Sequence, residues 1–237
     1  MTTRRPVKVR RQLLVGVIAS PADLQFALRM KQPPDLFELR LDCLLPISKQ
    51  LEKKFSQLRA PRIITARDPR EGGANKLLLE ERRDLLLRFL PHAKYLDVEL
   101  RSARALKPLL FEARKRNVRV ILSFHDFEST PSSRSLRAKA SAAKARGADI
   151  FKVATRTDKP SELARLVDFI TNSDLDSSRR SSAKADLPIS AMGVGKLGGL
   201  SRLLLARCGS VLNYASLQQS RVQGQLPIDL LRSALPG

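Results

Sequence analysis

Short runs of apolar and β-branched residues recur along the chain: LLVGVIA (13–19), LFELRLD (36–42), RIITAR (62–67), YLDVEL (95–100), VRVILSFH (118–125), DIFKVAT (149–155), PISAMG (188–193) and SVLNYAS (210–216). Between them the hydrophobic period lengthens to that of an amphipathic helix, as over 22–30, 76–90, 103–116 and 134–146. Strand and helix alternating eight times predict a parallel sheet. Eight such units within 237 residues suit a closed (β/α)8 barrel, which typically takes about 250. An open doubly wound sheet is the competing arrangement. Gly147, behind a helical run and ahead of a strand, is expected to cap that helix.

The start of the chain is basic (Arg4, Arg5, Lys8, Arg10, Arg11) and leads into the apolar run 13–19. That pattern also fits a signal peptide, but a first strand behind a solvated tail is the preferred reading. The expected organisation is therefore a basic tail over 1–11 and one catalytic barrel domain over 12–237. The stretch 171–187, rich in Ser, Asp, Arg and Lys, predicts a mobile connection or a loosely packed helix extension. It marks no domain boundary, because a strand pattern resumes at once.

Polar residues fall on alternate positions of these strands, so they share a face. Glu38 and Arg40 pair in this way, as do Thr65 and Arg67, Asp97 and Glu99, and Ser123 and His125. In DIFKVAT, Ile150, Lys152 and Ala154 lie on one face, with Phe151 and Val153 on the other. In a barrel, the C-terminal strand ends meet at a common mouth, where catalytic groups gather. One reading is a structural ion-pair layer in the barrel. The other is chemistry, since acid, base, arginine and lysine converge at one end. A buried lysine is costly as an ammonium unless paired, and burial and neighbouring arginines favour the neutral amine. That amine can attack a ketone to form a Schiff base, whose iminium acidifies the adjacent C–H. His125 suits the base that removes the proton, and Glu71 could orient its ring. His92, after Pro91 at a helix end, reads as a surface or capping residue.

Charge adds one question. Forty-four basic against 23 acidic residues give +21, enough for non-specific polyanion binding. Aromatic residues make up only 5% and the cations are scattered, which argues against a dedicated nucleic-acid binder. No apolar run is long enough to span a bilayer. Cys43 and Cys208 have no metal-like spacing and read as small core thiols in a reducing cytoplasm. Gly193-Val194-Gly195-Lys196-Leu197-Gly198 fits G-x-G-x-x-G, but it lacks a following βαβ unit and a downstream acid, so it carries no nucleotide site. A tight turn into a helix start accounts for it.

The motifs ELRLD (38–42), TARDPREGG (65–73), LDVEL (96–100), SFHDFESTP (123–131), DIFKVAT (149–155), SAMG (190–193), LSR (200–202), CGSVLNY (208–214) and QGQ (223–225) together cover nearly the whole chain. In this order and spacing the sequence resembles the type I 3-dehydroquinate dehydratases, the Schiff-base dehydroquinases of the shikimate pathway. The resemblance implies a lyase that converts 3-dehydroquinate to 3-dehydroshikimate by syn elimination, without a metal or organic cofactor. By the same resemblance, Lys152 forms the imine, His125 is the acid–base group and Glu71 holds it. Glu38, Arg40 and Arg67 surround the ring hydroxyls, Met192 lies beside the imine, and Arg202 with Gln225 binds the carboxylate. The stretch GVGKLGGLS before Arg202 is longer than the commoner family spacing. In QQSRVQGQ, either Ser220 takes the role of a family serine or Arg221 adds a second cation. A cytoplasmic homodimer is expected. A different Schiff-base lyase or aldolase, or a basic protein that binds nucleic acid or an anionic surface, are the competing functions.

Overall fold

The computed structural model describes residues 11–172, 187–220 and 222–235. Strands β1 (Leu13–Ile18), β2 (Leu36–Arg40), β3 (Arg62–Thr65), β4 (Tyr95–Glu99), β5 (Arg119–Asp126), β6 (Ile150–Arg156), β7 (Ile189–Val194) and β8 (Leu212–Ser216) follow the eight apolar runs. The helices between and after them are α1 (Pro21–Arg29), α2 (Ser48–Lys54), α3 (Leu79–Phe89), α4 (Lys107–Lys115), α5 (Ser133–Ala145), α6 (Pro160–Thr171), α7 (Gly198–Arg207) and α8 (Ile228–Ala234). The basic tail over 1–10 and the connection over 173–186 fall outside the described residues.

All strand pairs are parallel, in the order β7-β6-β5-β4-β3-β2-β1-β8. The ends of that order meet without a regular ladder. The Val211 amide donates to the Ile189 carbonyl at 3.0 Å, and the Ala191 amide donates to the Ser210 hydroxyl at 3.1 Å. The Ser190 hydroxyl donates to the Leu212 carbonyl at 2.7 Å. These contacts close the sheet into a (β/α)8 barrel.

Alternation sorts the side chains into two compartments. Phe37, Leu39, Ile64, Leu96, Val98, Leu122, Phe151 and Val153 face outward into the core beneath the helices. Val15, Leu36, Ile63, Tyr95, Ile121, Ile150, Leu212 and Tyr214 face inward and fill the barrel as a second apolar cluster. Further along the same strands, the inward positions become Glu38, Thr65, Asp97, Ser123 and Lys152, all buried. The interior thus passes from apolar to charged along the barrel axis. The lower plug keeps solvent from the charges above it.

Two helices begin later than their periodicity predicts. Asn75 and Lys76 adopt left-handed φ of 62° and 45°, which ends any helix that would start there, and α3 begins at Leu79. Residues 101–106 form turns, so α4 begins at Lys107. Gly147 caps α5 as expected: its φ is 79°, and its amide donates to the Lys144 carbonyl.

Candidate active site

The charged inward residues surround one cavity at the C-terminal ends of the strands, where Lys152, His125, Glu71, Glu38, Arg40, Arg67, Met192, Arg202 and Gln225 all line the wall. The structure therefore brings nine of the predicted positions together. Ser220 is not among the lining residues; it is exposed, and its hydroxyl donates to the Val222 carbonyl at 2.7 Å. Gln219 takes the place in the wall nearest to it in sequence. Arg221 falls outside the described residues.

Lys152 is buried at 4% exposure. Its Nζ donates to Glu38 Oε1 at 3.2 Å and Asp97 Oδ2 at 2.9 Å. Of the acids and arginines that the sequence placed around this amine, the acids are the ones that bond it. Arg67 reaches Lys152 only through shared acceptors: it grips both oxygens of Asp97 at 3.0 Å, and also Glu99 Oε1 at 3.0 Å and Ser123 Oγ at 2.6 Å. Burial opposes the Arg67 charge, but Asp97 and Glu99 outweigh it and hold the guanidinium firmly protonated. Burial likewise works against the Asp97 charge, and Arg67 and Lys152 reverse the sign, pulling that carboxyl well below its usual range. Behind this layer, Arg82 of α3 donates to Glu99 Oε2 at 2.8 Å and Asp68 Oδ2 at 3.0 Å. An ion-pair layer does fill the barrel, and the lysine is part of it.

His125, the last residue but one of β5, lies two residues beyond Ser123, which sits beside Lys152 in the β5–β6 ladder. Its Nδ1 faces Glu71 Oε2 at 3.0 Å, and the same oxygen accepts the His125 amide at 2.9 Å. Glu71 reaches this point because the chain turns sharply after it. A Cβ on Gly73 would stand 2.0 Å from the Arg67 carbonyl, so only glycine lets the loop fold back over the end of β3. Burial raises the Glu71 carboxyl to about 7, with the nearby Glu99 charge adding to it. Burial, then the cations of Arg67 and Lys152, push the imidazole well below its ordinary value. At neutral pH the ring is uncharged, which suits a base. Nδ1 is engaged by Glu71, and Nε2 is the remaining nitrogen.

Arg40 is pinned by a bidentate pair with Asp42 at 3.0 and 2.8 Å and by a bond to the Gly72 carbonyl at 3.1 Å. Arg202 differs from the other cations. Its Nε and Nη1 donate to the carbonyls of Gly224 and Tyr214 at 3.0 and 2.9 Å, and no carboxylate pairs with it among the described residues. Burial alone lowers it to about 10, so it stays charged at neutral pH and faces the cavity as an uncompensated cation. Met192 Sδ lies 3.6 Å from its Nη1. The glycine motif serves packing here: the start of α7 at Gly198 meets Gly224, where a Cβ would come within 2.5 Å. That contact seats the loop carrying Gln225.

Asp97, Asp42, Phe127, Gln219 and Tyr214 complete the site and were not singled out from the sequence as site residues. Asp97 was detectable from its shared face with Glu99; the others give no signal beyond their place near strand ends. Among the described residues no group of His, Cys, Asp and Glu has metal-holding geometry, and no helix is long and apolar enough to cross a membrane. His92 is exposed and its ring packs on Phe55, away from this cavity.

Residues 21–236 match the family model described as type I 3-dehydroquinase. The chain is 34% identical to the 3-dehydroquinate dehydratase of Shouchella clausii, over 85% of this chain and 80% of that one. It is 32% identical to that of Aromatoleum aromaticum, over 99% and 96%. The crystal structure of 3-dehydroquinate dehydratase from Geobacillus kaustophilus superposes with a TM-score of 0.81 at 26% identity, over 95% of this chain and 90% of that one. By fold, by site and by these similarities, the chain belongs to the type I 3-dehydroquinase family.

Proposed function

We propose that this chain dehydrates 3-dehydroquinate to 3-dehydroshikimate and water, the third step of the shikimate pathway, through an imine on Lys152. One observation carries the reading: the Lys152 amine shares its cavity with an uncharged His125 ring held by Glu71 and with Arg202, a buried cation without a carboxylate partner among the described residues. A small anionic ketone completes all three. Its carboxylate pairs with Arg202, its carbonyl meets Lys152, and its acidic C–H meets His125.

The Lys152 amine attacks C3, and the carbonyl oxygen leaves as water. The resulting iminium withdraws electrons from C2. Nε2 of His125 takes the C2 proton, and Glu71 supports the imidazolium that forms. The same nitrogen then gives its proton to the departing C1 hydroxyl, so both groups leave from one face. Hydrolysis of the imine frees the product. The lysine supplies the electron sink, so the scheme calls for no metal or organic cofactor. Arg40 and Glu38 hold ring hydroxyls in this scheme. Arg67, already saturated by acceptors, fixes Asp97 and Glu38 around the amine. Met192 packs beside the imine, and Gln225 assists Arg202. Ser220 is left as an alternative to Arg221 for closing the loop over the carboxylate.

The reading includes a cytoplasmic homodimer, with non-specific polyanion binding as a side effect of the +21 charge. Sedimentation of the purified chain tests the dimer. Borohydride added during turnover of 3-dehydroquinate tests the chemistry. It is expected to fix one adduct on Lys152, and Lys152→Ala is expected to abolish it. Peptide mapping that finds Lys152 unmodified after trapping overturns the mechanism.

A further inference from the structure

Tyr214 has no part in that scheme, yet it touches the reacting atom. Its ring centroid lies 4.1 Å from Lys152 Nζ, it lines the cavity, and it is 4% exposed. Its hydroxyl has no hydrogen-bond partner among the described residues. A buried hydroxyl left unpaired opposes folding, so the placement of this side chain is not explained by hydrogen bonding.

We infer that the face of the Tyr214 ring holds the positive charge on the Lys152 nitrogen through the imine stage, a role that rests on the Schiff-base reading. As an ammonium, Lys152 has three N–H groups and uses two of them on Glu38 and Asp97. When the nitrogen bonds to the ketone carbon, the oxygen leaves as water and two of those protons leave with it. The protonated imine keeps its full charge but has one N–H. At most one of the two carboxylate bonds survives.

The attraction of a cation to an aromatic face needs charge and proximity, not an N–H donor. It therefore persists when the hydrogen bonds thin out, in a site where Lys152 and Tyr214 are both buried and water screens little. An aliphatic side chain of similar size fills the space but offers no negative face. The ring thus contributes most in the intermediate that the reaction must stabilise.

The test compares Tyr214→Leu with Tyr214→Phe, which keeps the ring and removes the hydroxyl. Borohydride trapping with 3-dehydroquinate, read by mass spectrometry, reports the imine, alongside kcat, KM and the melting temperature. The Leu variant is expected to trap roughly tenfold to thirtyfold less imine, with kcat falling in parallel. The Phe variant is expected to recover most of that loss. If the Leu variant does not fold, Tyr214→Met fills the same space without a π face and is measured instead. Equal trapping by wild type and the Leu or Met variant overturns the inference and leaves the Schiff base standing. A Phe variant as poor as the Leu variant moves the effect to the hydroxyl and also overturns it. Absence of any adduct in wild type overturns the underlying reading instead.

Discussion

Replacing Glu71 with glutamine separates the charge of this side chain from its shape. In the wild type, an ionised Glu71 accepts the Nδ1 proton of His125 and leaves Nε2 free as the base. Once protonated, the carboxyl can donate to Nδ1 and send the ring proton to Nε2, and it no longer supports an imidazolium. The carboxyl is raised to about 7, because it is buried beside Glu99. The sign follows: activity is present above that pH and is lost as pH falls through it. At pH 6 only roughly one-tenth of the enzyme carries the ionised form, so kcat is expected to fall about tenfold from its plateau near pH 8. The amide oxygen of Glu71→Gln still accepts the Nδ1 proton but carries no charge. A charge-assisted hydrogen bond to the imidazolium is worth about 1.5–3 kcal/mol, so the plateau is expected to drop roughly tenfold to a hundredfold. The limb near pH 7 should disappear with the titrating group. Enone absorbance followed between about pH 5.5 and 8.5 gives both profiles. A limb near pH 7 that survives in Glu71→Gln, or a wild-type profile flat down to about pH 5.5, refutes the assignment.

Two further outcomes follow from the other charges. Arg202→Met removes a buried cation that has only carbonyl partners. KM for 3-dehydroquinate is expected to rise on the order of a hundredfold while the melting temperature does not fall, a separation readable by kinetics and calorimetry. Arg82→Ala leaves Asp68 and Glu99 without this partner, 3.0 and 2.8 Å from where it was. Breaking a buried pair costs about 3–5 kcal/mol, which for a chain of this size lowers the melting temperature by roughly 10 °C.

The strands were legible because most are buried on both faces and read as short apolar runs, so their ends fall within two residues of those runs. Helix starts were less so, since left-handed turns at Asn75 and Lys76 depend on local backbone rather than on period. Alternation also showed which way Lys152, Asp97 and His125 point. It said nothing of which side chains meet across the barrel, and so it did not separate Asp97 and Glu38, which bond the amine, from the arginines expected beside them. Tyr214 went unnoticed because an aromatic in a strand reads as packing until its distance to a charge is known. Ser220 lies one position from Gln219, which lines the cavity, and pattern alone does not resolve a one-residue offset in a loop.

The join between β7 and β8 divides the barrel mechanically. From β8 round through β1 to β7, the strands are bound by regular ladders that resist sliding. At the join, the serine hydroxyls of Ser190 and Ser210 carry much of the bonding, and a hydroxyl rotor can follow a small shear that would break an amide ladder. The ring behaves as a clasp with a stiff jaw and a compliant hinge line. Lys152, Asp97 and Glu38 are carried by the stiff part, so the amine keeps its geometry. Arg202 spans the join, because it belongs to α7, which follows β7, and donates to the Tyr214 carbonyl on β8. A shear at the join would therefore fall between Arg202 and β8, and would leave Lys152, Asp97 and Glu38 in their mutual geometry.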